Sequence, residues 1–160
     1  MATLSIAPIK VARLQGLQSI PLDSAPEDSS ETFKQGALLV MNASNGQIAE
    51  CGADPALVQG IALHAASGVT GTNVQFVRPM RGLVVEVSMD ESGGQGVYAL
   101  VQTDLGKRYG AAKDSTSGYW YLDQDETTAD VFEIVGFVSA VGDITPRVLA
   151  QFVQTALDEA

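Results

Sequence analysis

The sequence predicts a mainly β protein, a small antiparallel β-barrel or β-sandwich with an extended N-terminal arm. From Phe33 onward, short apolar runs alternate with turns that contain glycine, as they do in antiparallel hairpins. Before Phe33, prolines and the acidic, serine-rich stretch "PLDSAPEDSSE" interrupt the chain. We therefore expect residues 1–35 to form an arm and linker, and residues 36–160 to form one β-rich domain.

The strands are predicted as apolar runs between turn residues. The pair Asn45-Gly46 predicts a hairpin, because both residues tolerate the positive φ of a type I′ turn. Gly52 with Pro55 predicts a second reversal, and "MDESGGQG" a third. Beyond a glycine- and charge-rich loop, "TDLGKRYGAAKDSTSG", strands are expected in "YWYLD" and "DVFEIVGFVSAVG". The six strands expected before that loop are Ala37–Met41, Gln47–Glu50, Leu57–Leu63, Asn73–Val77, Leu83–Val87 and Val97–Val101.

The C-terminal segment "ITPRVLAQFVQTALDEA" fits either a helix or a strand. Pro146 is a possible helix start, and the apolar residues after it also fit helical spacing. Arg147 near the proposed start, and Asp158 and Glu159 near the end, oppose the helix dipole. We therefore favour a strand through about Val153.

Composition excludes several classes of partner. A net charge of −10 disfavours nucleic acid and anionic membranes, because binding to phosphates needs clustered Lys and Arg. Only 18% of residues are charged and 46% are hydrophobic, which suggests that other protein covers part of the surface. A single cysteine rules out an intrachain disulfide. Pro8, Lys10 and Arg13 interrupt the apolar N-terminus, so we expect neither a signal peptide nor a membrane span.

The single cysteine, Cys51, and the single histidine, His64, lie thirteen residues apart. A nucleophilic cysteine needs a base, an orienting group and an oxyanion site, and no catalytic-cysteine motif surrounds either residue. We expect both to have structural roles and predict no catalytic residue. A hydrolase or thiol enzyme that uses this pair is the alternative.

The sequence also predicts no metal site and no cofactor. In "DQDETTAD", Asp123 and Asp125 are spaced like the start of a calcium loop, but Thr128 and Ile134 stand where that loop needs Gly and Glu. One Cys and one His do not complete a usual zinc site. The glycines of "GGQG" and "GKRYGAAK" lack the spacing of dinucleotide-binding and phosphate-binding loops.

Two groups of residues are candidates for binding a partner. Tyr119, Trp120 and Tyr121 could form a sugar or peptide platform, or pack in the core or against another subunit, because alternate residues of a strand face opposite sides. In the arm, apolar residues alternate with polar ones on either side of Pro8. We expect residues 1 to about 20 to add a strand to a neighbouring subunit; the alternative is that they close an edge of their own barrel. The apolar side chains concerned are Leu4, Ile6, Ile9 and Val11.

Residues 33 to about 153 resemble the head decoration (cement) proteins of tailed bacteriophages. The resemblance rests on a "GALLV" strand that leads through a hairpin to "GIAL", then a "VVEV" strand, and a closing strand that bears "VG". These motifs lie in "FKQGALLVMNASNGQIAECGADPALVQGIALHAASG", "NVQFVRPMRGLVVEV" and "VFEIVGFVSAVGDITPRVLAQFV".

The resemblance implies a β-barrel or β-tulip domain that assembles, commonly as a homotrimer, on the exterior of a virion capsid after synthesis in the host cytoplasm. There it would bridge subunits of the major capsid protein and stabilise the shell without catalysis, through many modest contacts. It also offers the capsid protein, beside a neighbouring subunit, as a surface to which residues 1 to about 20 could add a strand, and it assigns no individual functional residue. The alternatives are a small-molecule or carbohydrate-binding β-module and another phage structural component, from the tail or baseplate.

Overall fold

The computed structural model describes residues 1–14, 19–94 and 96–157, and this part of the chain is almost entirely strands and turns. The described residues form eleven strands and two short 3₁₀ turns, at Gln102–Asp104 and Gln154–Ala156. The strands are β1 (Lys10–Leu14), β2 (Leu22–Pro26), β3 (Leu38–Met41), β4 (Ile48–Glu50), β5 (Gly60–Ala62), β6 (Asn73–Val77), β7 (Leu83–Asp90), β8 (Arg108–Lys113), β9 (Trp120–Asp123), β10 (Phe132–Phe137) and β11 (Arg147–Phe152). The predicted mainly β fold is confirmed.

Five strands close into a small barrel in the order β7, β11, β10, β8, β9. Neighbouring strands are antiparallel except at the closure, where Met89 and Asp90 of β7 pair in parallel with Leu122 and Asp123 of β9. The side chains that alternate inward, such as those of β11, fill the interior. The first half of β7 pairs on the same edge with β1, so β1 is an extra strand beside the barrel.

The second sheet is antiparallel and has the strand order β2, β6, β5, β3, β4. A bridge from Glu27 to Ile48 joins the chain just after β2 to the far strand β4, so this sheet is also strongly curled. Its buried side chains and those of the barrel belong to one hydrophobic cluster.

The predicted hairpin at Asn45-Gly46 exists, but the type I′ turn is wrong. Of these two residues only Gly46 has positive φ (69°), and its N–H donates to the carbonyl of Asn42 (2.8 Å). The β3–β4 connection spans residues 42–47, which is long enough to avoid a two-residue turn.

Three other predicted strands and one predicted loop can be compared with the structure. Asn73–Val77 is confirmed in full, and the C-terminal strand is confirmed as β11, although Asp158 and Glu159 lie outside the described residues. The strand predicted at Val97–Val101 is wrong, because the Asp90 carboxylate takes the N–H groups of residues 96–98 that a neighbouring strand would need. Part of the predicted loop after Thr103 is instead the strand β8.

The N-terminal region differs from the expected arm and linker. Strand β1 pairs with β7 and strand β2 pairs with β6, so the expectation that these segments lack partners in their own chain is wrong. Ala25 and Glu27 are buried within the stretch expected to be a tether. Residues 15–18 of the expected docking segment lie outside the described residues, as does Gln95 of the "GGQG" loop tip.

Candidate interaction surface

Three segments that are distant in sequence meet at Ile144. Residues 2–4 run beside it as a parallel bridge, in which the N–H of Leu4 donates to the Ile144 carbonyl (2.9 Å) and the N–H of Ile144 donates to that of Ala2 (2.7 Å). On its other side, Ala99 forms an antiparallel bridge with Ile144. The N–H of Gly142 also donates to the carbonyl of Leu100 (2.8 Å). Backbone hydrogen bonds therefore hold the three segments together.

These segments carry most of the exposed large apolar side chains. Among the described residues ten such side chains are exposed, and seven belong to residues 1–4, 97–105 and 138–141. We call these seven the Ile144 surface. Its members are Met1, Leu4, Val97, Val101, Leu105, Val138 and Val141. Scattered single apolar residues need no explanation, whereas a concentration of them is typical of interaction surfaces.

The carboxylate of Asp143, which lies in this region, already has intramolecular partners. The Asp143 carboxylate accepts the N–H groups of Ala2 (2.8 Å) and Ala140 (3.0 Å), and these bonds lower the pKa of Asp143. A partner that covers the surface would therefore meet apolar side chains without having to strip a free carboxylate of water.

Of the four arm residues predicted to bind a partner, one lies on this surface. Leu4 is 36% exposed, and Ile6 and Val11 are half-buried. Ile9 is only 3% exposed and belongs to the core, so it does not offer a side chain to another subunit. In this chain the described arm residues follow the alternative course, closing an edge of their own barrel.

The aromatic run does not form an exposed platform. Trp120 and Tyr121 are 2% and 0% exposed, and only Tyr119 is half-buried, with the Lys34 ammonium 5.0 Å from its ring centre. The indole of Trp120 donates to Glu50 Oε1 (2.8 Å). Burial, and then the nearby Asp123 charge, raise the pKa of Tyr121 to about 12. The packing interpretation of this run fits these contacts.

Cys51 and His64 are not joined by a hydrogen bond in the described structure. Cys51 is buried, and burial, followed by the charge of Glu50, raises the pKa of its thiol to about 12, which disfavours the nucleophilic thiolate. His64 is exposed; its Nε2 accepts the N–H of Gln75 (3.1 Å) and its Nδ1 lies 2.9 Å from the Ala65 carbonyl. These contacts fix the imidazole against the backbone of its own sheet.

The acidic segment 123–130 is organised by its own turns. Asp123 accepts the Ser92 hydroxyl (2.8 Å) and the Asp125 N–H (3.0 Å), and Glu126 accepts the N–H groups of residues 128 and 129. Within the described ranges, no group of three or more His, Cys, Asp or Glu side chains is arranged to hold a metal ion.

Two fully buried carboxylates support the loop that carries Val97 and Val101. Asp90 binds the N–H groups of residues 96–98, and Asp104 accepts the Tyr98 hydroxyl (2.8 and 2.9 Å) and the Val101 N–H (3.0 Å). Sequence reasoning missed both residues. The available signal was Asp104, three residues after the apolar run that ends at Val101, within reach of its backbone N–H groups; Asp90 lies seven residues before Val97 and beside Glu91, where no local pattern marks it.

No protein-family model matches this chain, and no curated protein matches it significantly. Among the described residues, no helix is long and apolar enough to cross a membrane.

Proposed function

We propose that this protein is a non-enzymatic structural component of a bacteriophage virion, which binds the capsid exterior as a homotrimer and bridges subunits of the major capsid protein. The observation that carries the proposal is the concentration of exposed apolar side chains on the Ile144 surface, which we assign to contacts between copies of the chain. Contacts between identical subunits are more apolar than transient interfaces, and they are mostly arranged with closed symmetry.

The chemistry of the chain supports a structural role. The thiol of Cys51 is buried with a raised pKa, and the ring nitrogens of His64 face backbone groups. The resemblance to cement proteins supplies the capsid as the partner, and trimerisation would place three capsid-binding sites on one particle, which multiplies modest affinities. A carbohydrate-binding module is less well supported, because the ring faces of Trp120 and Tyr121 are buried.

The test compares two charged variants. Val101→Asp/Val138→Asp places charges on the Ile144 surface at side chains that are 43% and 52% exposed. Val69→Asp is the matched control, because Val69 is 61% exposed but lies outside that surface. Both variants should keep the circular dichroism spectrum of the folded wild type, since neither residue set is buried.

Light scattering of the purified proteins should show a trimer for the wild type and for Val69→Asp, and a monomer for the double variant. Occupancy on expanded shells that lack the protein should fall with loss of the trimer. A double variant that still forms trimers would contradict the proposal. A wild type that is monomeric and nevertheless occupies shells as fully as the variants do would contradict it as well.

A further inference from the structure

A cavity of about 300 Å³ lies between the N-terminal segment and the open end of the barrel. Residues 4–6, Gly94, Gly96, Thr116 and Ser117 line parts of it. Three buried polar side chains at the ends of barrel strands also line it: Asp90, Asp114 and Thr145. They are 0%, 5% and 1% exposed, so each is held by the fold in a place where water is restricted.

The two carboxylates carry charge that no nearby cation balances. Asp90 accepts the N–H groups of residues 96–98, and Asp114 accepts those of residues 116 and 117 with the Ser117 hydroxyl. In the described part of the chain, no Lys, Arg or His nitrogen lies within 4.0 Å of either carboxylate. Lys113, next to Asp114 in the sequence, donates instead to Glu50 Oε2 (2.7 Å), and the Lys34 ammonium donates to the Ser117 carbonyl (2.6 Å).

Thr145 gives an independent indication of a ligand. Its Oγ1 is fully buried and has no hydrogen-bond partner, although a buried hydroxyl without a partner costs about 1–3 kcal/mol. The backbone of Thr145 is held by its N–H bond to the Tyr98 carbonyl (2.8 Å), and Oγ1 faces Gly96 on the cavity wall, 3.6 Å from where a Cβ would stand. Asp114 Oδ1 likewise lies 2.9 Å from the corresponding position at Gly94.

We propose that this cavity binds a hydrated Ca²⁺ ion through the carboxylates of Asp90 and Asp114 and the hydroxyl of Thr145. Calcium prefers oxygen ligands and tolerates irregular geometry with water completing its coordination, which a cavity of this size permits. A divalent cation would balance the two buried charges and give Thr145 Oγ1 a partner. With only two charged ligands, we expect a dissociation constant on the order of 10⁻⁴ to 10⁻³ M.

Bound calcium would also fasten the N-terminal segment to the barrel, because residues 4–6 line the same cavity. Binding to the folded state alone raises the folding equilibrium constant by a factor of one plus the ratio of ligand concentration to dissociation constant. At about 10 mM Ca²⁺ this factor is about 10 to 100.

The experiment is urea unfolding of the full chain, followed by the fluorescence of Trp120, the only tryptophan. Samples with about 10 mM CaCl₂ are compared with NaCl of equal ionic strength, because simple screening also stabilises a protein with a charge of −10. Isothermal titration with Ca²⁺ gives the affinity directly. The wild type should show the calcium-specific rise, and a wild type that responds equally to both salts would overturn the proposal.

Four variants locate the site. Asp114→Asn keeps the shape of the side chain and one of its two acceptor oxygens, and it should abolish the calcium response. Thr145→Val removes the hydroxyl while keeping the branched shape and should weaken affinity, whereas Thr145→Ser keeps the hydroxyl and should retain most of it. Asp54→Asn, at an exposed aspartate, is the control for net charge and should respond like the wild type.

If Asp114→Asn fails to fold, the two Thr145 variants still test whether calcium binds in this cavity, because Thr145 Oγ1 makes no hydrogen bond that either substitution would remove. Equal calcium affinity for Thr145→Val, Thr145→Ser and the wild type would overturn the assignment of Thr145. An equal loss of affinity in Asp54→Asn and Asp114→Asn would show binding to general surface charge and would overturn the site.

Discussion

The close contact between Gly36 and Ile9 predicts how strongly the N-terminal segment is attached. A Cβ at Gly36 would stand 2.6 Å from the backbone nitrogen of Ile9 and 2.8 Å from its carbonyl oxygen. Both are backbone atoms, so a rotamer change does not relieve the clash. Gly36 also has a φ of 80°, a conformation that an L-residue adopts at a cost of about 1–2 kcal/mol.

Gly36→Ala should therefore lower the free energy of unfolding by about 2.5–5 kcal/mol. This value adds the conformational cost of about 1–2 kcal/mol to about 1.5–3 kcal/mol for withdrawing the Ile9 side chain from the core. Gly46→Ala is the matched control, since Gly46 has a similar φ of 69° but nothing within 4 Å of the added methyl group. It should cost only about 1–2 kcal/mol.

The measurement is urea unfolding of both variants, again with Trp120 as the probe because it is 2% exposed in the folded protein. Hydrogen exchange of the β1 amides should accelerate in Gly36→Ala more than in Gly46→Ala, because displacing Ile9 pulls β1 from β7. If the two variants differ by less than about 0.5 kcal/mol, the contact with Ile9 is not what holds the segment.

Three further predictions concern buried polar groups. Burial raises the pKa values of Tyr109 and Tyr121 to about 12, and the Asp104 charge also raises that of Tyr109. The stability that these two neutral hydroxyls contribute is therefore complete below pH 10 and is lost as the pH rises from 10 to about 12. Circular dichroism that stays native up to pH 12 would refute this. Asp104→Ala should lower the free energy of unfolding by about 2–4 kcal/mol in a urea titration, because it leaves the hydroxyl of Tyr98 without its acceptor. Asp104→Asn should lower it by less, and equal losses in the two variants would contradict the hydrogen-bond argument. Iodoacetamide should modify Cys51 at least about 100-fold more slowly in the native protein than in urea, and rapid native labelling would restore the case for a reactive thiol.

Local patterns were enough to predict the strands whose hydrogen-bond partners are other strands. Asn73–Val77 alternates exposed and buried residues at its start, and the predicted strand Leu83–Val87 begins with three consecutive apolar residues that are buried in β7. In both segments the sequence period matches the burial that the sheet imposes. The type of each element could therefore be read from residues that are adjacent in sequence.

The errors arise where a distant side chain decides the backbone. Nothing within Val97–Val101 indicates that the Asp90 carboxylate will take its N–H groups. Gly110 belongs to the stretch that was predicted as a loop and is instead the strand β8. It is not a turn residue, because a Cβ at this position would stand 2.3 Å from the Glu126 side chain. Such a close approach depends on tertiary packing.

The Ile144 surface could not be predicted from the sequence for the same reason. Its members come from three distant segments, and the bridges of Ile144 with Thr3 and Ala99 bring these together. Each segment alone contains apolar residues of the kind that also form buried strands, so its local sequence does not show which side chains stay exposed. The arm prediction did select Leu4, but it relied on strand alternation and so included the buried Ile9 with equal weight.

The buried carboxylates connect the fold to the proposed assembly. The loop that carries Val97 and Val101 is not a strand, yet Asp90 and Asp104 hold it through bonds to its backbone and to Tyr98. A loop fixed in this way loses little conformational freedom when a partner covers it. The entropic cost of ordering the loop therefore offsets less of the favourable free energy of the apolar contacts. Calcium beside Asp90 would act on the same loop and on residues 4–6 at once. Trimer formation should therefore strengthen in calcium, and it should do so in the wild type but not in Thr145→Val.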